Sequence, residues 1–389
     1  MNKITEIELS QQLIQIASYS GYNAEVINLI RDYLENIGFK CDIIDFDGDN
    51  SYKVNNLHAI YNPNNSDQIL YFAGHTDIVH EGDANLWQFK PFAAEISDNI
   101  LYGRGASDMK CAIACFMTAV KDFINQNNNI KYGIGFLITN DEESDSVNGT
   151  KKMLKWMNDN NYKITSCIVG EPTNPKKFGE MMKVGRRGSV SFKLKITGKQ
   201  GHVAYPDIAL NPNTIMVNIL RILNDHKFDD GTEFFDATNL EVTAIESQNI
   251  GGNVIPNHVS ANFNVRFNDK HHSNDIIELV KYVCEKSMIK NDNIASKYDL
   301  EYRVSGESFI CNPKKIANIA QEVINDNINI KAEFSTTGGT SDARFIKDYC
   351  NDMIELGLIN ETAHKIDENS KIHEIEQLKN VYLEILKKY

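Results

Sequence analysis

The residues of this chain that could do chemistry fall at the ends of short apolar runs. His75-Thr76-Asp77 follows Ile69-Leu70-Tyr71-Phe72-Ala73, Asp141-Glu142-Glu143 follows Ile134-Gly135-Phe136-Leu137-Ile138, and Gly170-Glu171-Pro172 follows Cys167-Ile168-Val169. Runs of this length bounded by polar residues read as buried strands. In an open parallel sheet, ligands bind beyond the carboxyl ends of the strands, so three strands would deliver His and Glu side chains to one rim. Asp108 joins from the start of a helical segment after Gly103-Arg104-Gly105, and His364 arrives in a loop near the end of the chain. Carboxylates crowded on one rim repel each other and need a counter-charge. Divalent cations supply it, mixed imidazole and carboxylate donors suit zinc, and two ions sharing one carboxylate would use the donors present.

Each piece has a plainer reading. A His after a strand is most often a surface residue, Asp-Glu-Glu is most often a solvated loop, and an Asp opening a helix is most often its cap. The joint pattern weighs against these, because all the residues follow strands that converge. His58, His80, His226, His258, His271, His272 and His373 have no such setting and read as structural or surface residues.

The elements that must position these groups follow from periodicity. Residues 8–38 read as two helices (Leu9, Leu13, Ile16, then Val26, Ile30, Leu34), and residues 108–125 as another (Ile113, Phe116, Met117, Val120, Phe123). Strands alternating with helices predict a mostly parallel sheet with helices on both faces. Near residue 188 the texture changes: Ser189-Val190-Ser191-Phe192-Lys193-Leu194-Lys195-Ile196 alternates as a sheet with one solvated face does. A helix (212–224), two strands (239–247 and 258–267), a helix (273–290) and a strand (298–304) follow, the order of a split βαβ sandwich. From 305 the first pattern resumes and ends in an amphipathic helix at 373–388. The expected division is 1–187 with 305–389, interrupted by 188–304.

Bulk properties bound the function. A chain of 389 residues suggests two domains. A net charge of −13 argues against nucleic acid and against a polybasic membrane contact. No apolar run is long enough to span a bilayer, and Met1-Asn2-Lys3-Ile4-Thr5-Glu6 lacks the apolar stretch of a signal peptide. The expectation is a cytoplasmic protein. Seven cysteines, an odd number without C-x-x-C spacing, read as reduced apolar filler. Only eight of the 40 basic residues are Arg, which singles out each one.

In order along the chain, Phe72-Ala73-Gly74-His75-Thr76-Asp77-Ile78-Val79, Trp87, Pro91-Phe92, Gly103-Arg104-Gly105-Ala106-Ser107-Asp108-Met109-Lys110, Thr139-Asn140-Asp141-Glu142-Glu143 and Val169-Gly170-Glu171-Pro172 resemble the aminoacylase/carboxypeptidase family of metallopeptidases. The resemblance covers essentially the whole chain. It implies an α/β zinc-peptidase-like domain interrupted by a smaller ferredoxin-like dimerisation, or lid, domain. It implies two Zn²⁺ per subunit, with Co²⁺ able to substitute. Asp108 would bridge them, with His75 and Glu171 on one ion and Glu143 and His364 on the other. Asp77 would orient the His75 imidazole, Glu142 would be the general acid/base, and His202 from the partner subunit's lid would stabilise the oxyanion.

Further segments resemble a branch of that family acting on a small amide that carries several carboxylates. They are Gly185-Arg186-Arg187-Gly188-Ser189, Gly198 to Pro206, Gly252 to Pro256, Gly338 to Phe345 and Asn360 to Lys365. Carboxylates ask for forked cations, which Arg186, Arg266 and Arg344 would supply. Ser189, Tyr205, Asn253, Gly339, Thr340 and Asn360 would add hydrogen bonds, and in a homodimer Asn253, like His202, would act in the partner's site. Arg187 stands between substrate contact and packing. The chain departs from the family at Cys111, often Gly, and at Gly357-Leu358, usually Gly-Pro. Rival readings are another deacylase or dipeptidase of the same family, and a metal-binding protein without catalysis.

Overall fold

The computed structural model describes residues 4–389 except 23, 128, 248–250 and 292–293. Residues 1–3, part of the opening segment read for a signal peptide, lie outside them. The helices are α1 (Glu6–Ile14), α2 (Glu25–Asn36), α3 (Lys110–Gln126), α4 (Thr150–Asp159), α5 (Pro212–Asp225), α6 (Ser273–Ser287), α7 (Lys315–Ile328), α8 (Ala343–Ile346) and α9 (Ile372–Lys388). The sheet-building strands are β1 (Lys40–Gly48), β2 (Ser51–Tyr61), β3 (Ile69–His75), β4 (Gly133–Thr139), β5 (Ser166–Val169), β6 (Met181–Lys183), β7 (Gly188–Thr197), β8 (Asn239–Ser247), β9 (His258–Phe267), β10 (Lys297–Gly306), β11 (Glu333–Ser335) and β12 (Met353–Glu355). The chain forms two compact units, Met1–Gly185 with Cys311–Ser335 and Ser341–Tyr389, and Arg186–Ile310 with Thr336–Thr340.

In the first unit eight strands form one sheet in the order β1-β2-β4-β3-β5-β12-β6-β11. Its centre, β4-β3-β5-β12, is parallel throughout, and these strands are buried along their length, as parallel strands covered on both faces must be. Neighbouring residues on β3 face opposite ways. Phe72 stacks on Phe116 of α3, with centroids 4.6 Å apart, and both rings meet Tyr382 of α9. Tyr71, on the other face, hydrogen-bonds His58 at 3.0 Å, and His58 packs on Trp156 of α4. Helices therefore cover both faces. Truncating Phe72 to Ala would cost about 3–5 kcal/mol. His58, which the sequence places among the structural residues, is buried in this second layer.

The hairpin β1–β2, which pairs antiparallel with β4 through β2, has no counterpart in the sequence pattern. On the edge strand β1, partly exposed Asp42, Asp45 and Asp47 dilute the apolar pattern, as charge on an edge strand commonly does.

In the second unit four antiparallel strands run in the order β8-β9-β7-β10. With the chain order β7-α5-β8-β9-α6-β10 this is the ferredoxin-like arrangement. Val190, Phe192, Leu194 and Ile196 point from β7 into a core shared with Ile219 and Leu223 of α5 and Ile276 and Val280 of α6, while Ser191, Lys193 and Lys195 face out. All seven cysteines are free thiols. Among the described residues no helix is long and apolar enough to cross a membrane.

Candidate metal centre

The rim formed by the carboxyl ends of β3, β4 and β5 gathers the donors. His75 is the last residue of β3 and is buried. Its Nδ1 lies 2.9 Å from the carbonyl oxygen of Asp77. A carbonyl only accepts, so Nδ1 carries a proton there and Nε2 is the nitrogen left to face a metal. Nε2 faces Asp108 Oδ1 at 3.1 Å and Glu171 Oε1 at 3.7 Å. His364 Nε2 faces the other oxygen, Asp108 Oδ2, at 3.3 Å, and Glu143 Oε1 at 2.9 Å. Asp108 thus offers one oxygen to each imidazole.

Two donors about 2.1 Å from a tetrahedral ion stand roughly 3.4 Å apart, which the contacts of 2.9–3.7 Å bracket. His75, Asp108 and Glu143 form one group whose ligand atoms all lie within 4.8 Å, and His75, Glu142 and Glu171 form another. The donor set therefore fits divalent metal.

The Asp77 carboxylate has a different principal contact from the one expected of it. Its closest approach to the His75 ring is 3.6 Å. Oδ2 accepts from the backbone N–H of Glu142 at 3.0 Å, from that of Glu143 at 2.9 Å and from Ser20 Oγ at 2.8 Å. Asp77 therefore fixes the backbone of the two glutamates, and its own carbonyl holds the imidazole. In the same turn, Asp141 accepts from the N–H groups of Ser146, Val147 and Asn148, which leaves Glu142 and Glu143 as the side chains aimed at the rim.

The electrostatics match a site built for cations. Burial alone would lower the His75 pKa, but Asp108, Glu171 and Asp77 hold it well above the ordinary imidazole value. Hydrogen bonds to Asp108 and Glu143 hold His364 up to about 10. Burial would raise Asp108, yet its two imidazole partners bring it below the usual carboxylate range. Glu142 is pushed well up by burial, then by the charge of Glu171. Glu143 is also raised by burial, against its bond to His364.

Several supporting residues escape a reading of the sequence. Glu368 and Arg104 form a buried ion pair at 2.7 Å, and Glu368 accepts from the N–H groups of Ser107 and Asp108. Asp342 is buried, pushed by that burial to about 6, and its charge adds to those raising Glu142. The signals are present, a Glu four residues after His364 and an Asp inside Gly338 to Phe345, but nothing in the pattern tells a buried carboxylate from an exposed one. His364 and Asp367 take the left-handed backbone region, with φ of 64° and 57°, uncommon for residues with a Cβ and concentrated at functional turns. The segment leading to them is pinned at the Gly357-Leu358 departure. Leu358 O accepts from Thr173 and Asn174 N–H, and a Cβ on Gly357 would stand 2.4 Å from the carbonyl oxygens of Gly170 and Glu171.

The substrate candidates divide between the units. In the first, Arg344 is largely buried with its guanidinium 4.6 Å from the Phe345 ring, and Nε has no hydrogen-bond partner among the described residues. Asn360 is exposed and tied by its N–H to Asn174 O. In the second, Arg186 NH1 donates to Gly339 O at 3.0 Å, beside Thr340. Ser189 sits opposite Arg266 across β7 and β9. Arg266 is half-buried, with NH1 lacking a partner among the described residues and its pKa lowered by burial and then by Arg187. Arg187 itself donates to Asn239 Oδ1 at 2.9 Å. His202 pairs with Val254, and Val203 N–H donates to Asn253 O, which brings His202 and Asn253 onto one small two-stranded ladder. Tyr205, 5.6 Å from the His202 ring, is 63% exposed.

Comparison with known proteins identifies the family. The profile of peptidase family M20/M25/M40 matches residues 71–388. Succinyl-diaminopimelate desuccinylase of Pelagibacter ubique is 45% identical over 389 residues, all of both chains. Those of Rickettsia rickettsii, 45% identical over 98% of each chain, and Ehrlichia canis, 43% identical over 99% and 98%, are similar. Among solved structures, an M20 family metallo-carboxypeptidase from Sulfolobus solfataricus superposes with a TM-score of 0.80 at 18% identity, covering 99% of both chains. A dinuclear metal binding peptidase from the M20 family of Bacillus subtilis does so with 0.67 at 13%, covering 98% and 96%.

Proposed function

We infer that this chain, which belongs to peptidase family M20/M25/M40, is a metal-dependent amidohydrolase that cleaves N-succinyl-LL-2,6-diaminopimelate to succinate and LL-2,6-diaminopimelate. The reaction is a step of diaminopimelate and lysine biosynthesis. The observation that carries the reading is the convergence of His75, Asp108, Glu143, Glu171 and His364 on one rim, with the Glu142 carboxylate in the same cluster.

The roles we assign are these. Asp108 would be the shared ligand, with His75 and Glu171 holding one ion and Glu143 and His364 the other. The ions that this donor set would take are zinc, two per subunit, with cobalt able to take their place. When bound, such a pair supplies Lewis-acid polarisation of the amide carbonyl and acidifies the attacking water. Glu142 takes the proton of that water on its carboxylate and returns it to the leaving amine. Burial and then the charge of Glu171 favour its protonated form, which helps Glu142 hold the proton it carries to the amine. Asp77 keeps it in place through the bonds to the Glu142 and Glu143 N–H groups. Arg186, Arg266 and Arg344 receive the substrate's carboxylates, aided by Ser189, Tyr205, Gly339, Thr340 and Asn360. The second unit is a dimerisation and lid domain, and in the homodimer His202 steadies the developing oxyanion in the partner's site, with Asn253 beside it. The compartment we propose is the cytoplasm.

The test is an assay of chelator-treated protein with N-succinyl-diaminopimelate and with N-acetylornithine, before and after zinc is restored. Zinc-dependent release of succinate, with the acetylated compound turned over far more slowly, is expected. Preference for the acetyl substrate would move the chain to another deacylase of the family, and no turnover with zinc would leave a binding protein.

A further inference from the structure

We propose that Glu368 is a positioning residue that locks Asp108 and His364 into one ligand frame, so that one of the two metal sites depends on a carboxylate that touches no metal. The proposal rests on the assignment of Asp108 and His364 as ligands. Glu368 is fully buried, and both its oxygens are engaged. Oε1 accepts from the N–H of Ser107 at 2.9 Å and from that of Asp108 at 3.1 Å. Oε2 accepts from Arg104 NH1 at 2.7 Å. The Glu368 carbonyl accepts from Gly103 N–H at 2.9 Å. Every polar atom of this residue beyond its own N–H therefore binds the segment 103–108, which presents Asp108.

The residue after Glu368 closes the turn that presents His364. Asn369 N–H donates to Thr362 Oγ1 at 3.1 Å, and Thr362 Oγ1 donates to Asn369 O at 2.8 Å. This clasp spans His364. A parallel strut joins the same two segments, since Ser107 Oγ donates to Ile359 O at 2.6 Å. Arg104 anchors the far side, lying 5.2 Å over the Trp87 ring. By contrast His75 and Glu171 follow from β3 and β5, and their site meets this network only through the shared Asp108. The two sites are therefore held differently, one by sheet ends and the other by a buried ion pair between loops 264 residues apart.

The consequence is unequal. Supporting partners of metal ligands typically affect affinity 10–100-fold. In Glu368→Gln the side-chain volume is kept, but the amide cannot accept both from Ser107/Asp108 and from Arg104, and its NH₂ must confront one set of donors. The site formed by Glu143 and His364 should weaken about 10–100-fold, with the site formed by His75 and Glu171 changed far less.

The test is titration of full-length, metal-free wild type and Glu368→Gln with Co²⁺, followed by calorimetry and visible absorption, with circular dichroism and melting temperature of the metal-free proteins alongside. Two binding steps in wild type, one shifted 10–100-fold with an altered Co²⁺ spectrum and the other far less in a folded variant, is the expected result. Two unchanged steps would overturn the proposal alone, while fewer than two steps in wild type would overturn the metal assignment with it. Equal weakening of both steps together with a lowered melting temperature would make Glu368 merely structural and also overturn it. Should Glu368→Gln not fold, Ser107→Ala removes only the parallel strut. A smaller loss confined to the same step is then expected, and no loss counts against the frame.

Discussion

The metal rim of the first unit and the substrate loops of the second present chemistry in opposite ways. On the rim, His75 is 2% exposed and Asp77 not at all, and backbone groups meet the His75 ring and the Asp77 carboxylate, although His364 is 48% exposed. In the second unit, His202 and Asn253 are exposed on a two-residue ladder and Tyr205 is 63% exposed. A buried carboxylate or imidazole left unpaired is expensive, so the rim is organised before any ligand arrives. An exposed side chain has water as its partner and little to hold it. In the proposed reading the rim binds cations, and the exposed loops meet substrate and a second subunit.

The sharpest way to break this contrast is Glu142→Gln. It should lower kcat by about 10²–10⁴ while KM and metal content stay near wild type, measured by steady-state kinetics and elemental analysis. Loss of metal would mean that Glu142 is a ligand and that base and ligands are not separate on the rim. His202→Ala should lower kcat about 10²–10³ without changing metal content. Mixing it with Glu142→Gln should restore part of the activity, because one site of the mixed dimer then has both groups. Failure of complementation would place His202 in its own subunit's chemistry. Arg344→Lys should raise KM about tenfold, the loss of a forked contact to a charged group of about 1.5 kcal/mol, with kcat changed less.

The smallest effect is a pH dependence that belongs to the rim alone. Both imidazoles are held above their ordinary value, His364 up to about 10 by Asp108 and Glu143. An imidazolium must lose its proton before its nitrogen can take a metal. Binding therefore releases protons at neutral pH, and affinity rises with pH, about tenfold per unit for each proton displaced. The rise levels off once pH passes the imidazole's own value. Calorimetry in buffers of different ionisation enthalpy measures the protons released. Affinity that falls with rising pH would contradict imidazoles held protonated at neutral pH.

His75, Glu143 and Glu171, three of the proposed ligands, stood out because they follow strands whose burial is written in continuous apolar runs. β3, β4 and β5 end within two residues of where those runs end. The helices were legible for the same reason, as apolar faces at 3.6-residue spacing. The hairpin β1–β2 was not, since half-exposed edge strands need carry no clear pattern. Nor was the partner of Asp77, because the bond it makes depends on a backbone turn at 140–143 that only the folded sheet places beside it. Glu368 was hidden for a third reason. Its importance lies in the distance between 108 and 368 closing to one hydrogen bond, and a single sequence does not display which remote carboxylate a loop will meet.

The most direct measurement is the anomalous scattering of zinc-loaded crystals. The account predicts two peaks about 3.5–4 Å apart, one touching His75 and Glu171, the other Glu143 and His364, and both touching Asp108. A single peak, or zinc bound elsewhere with these side chains still meeting only one another, would contradict it.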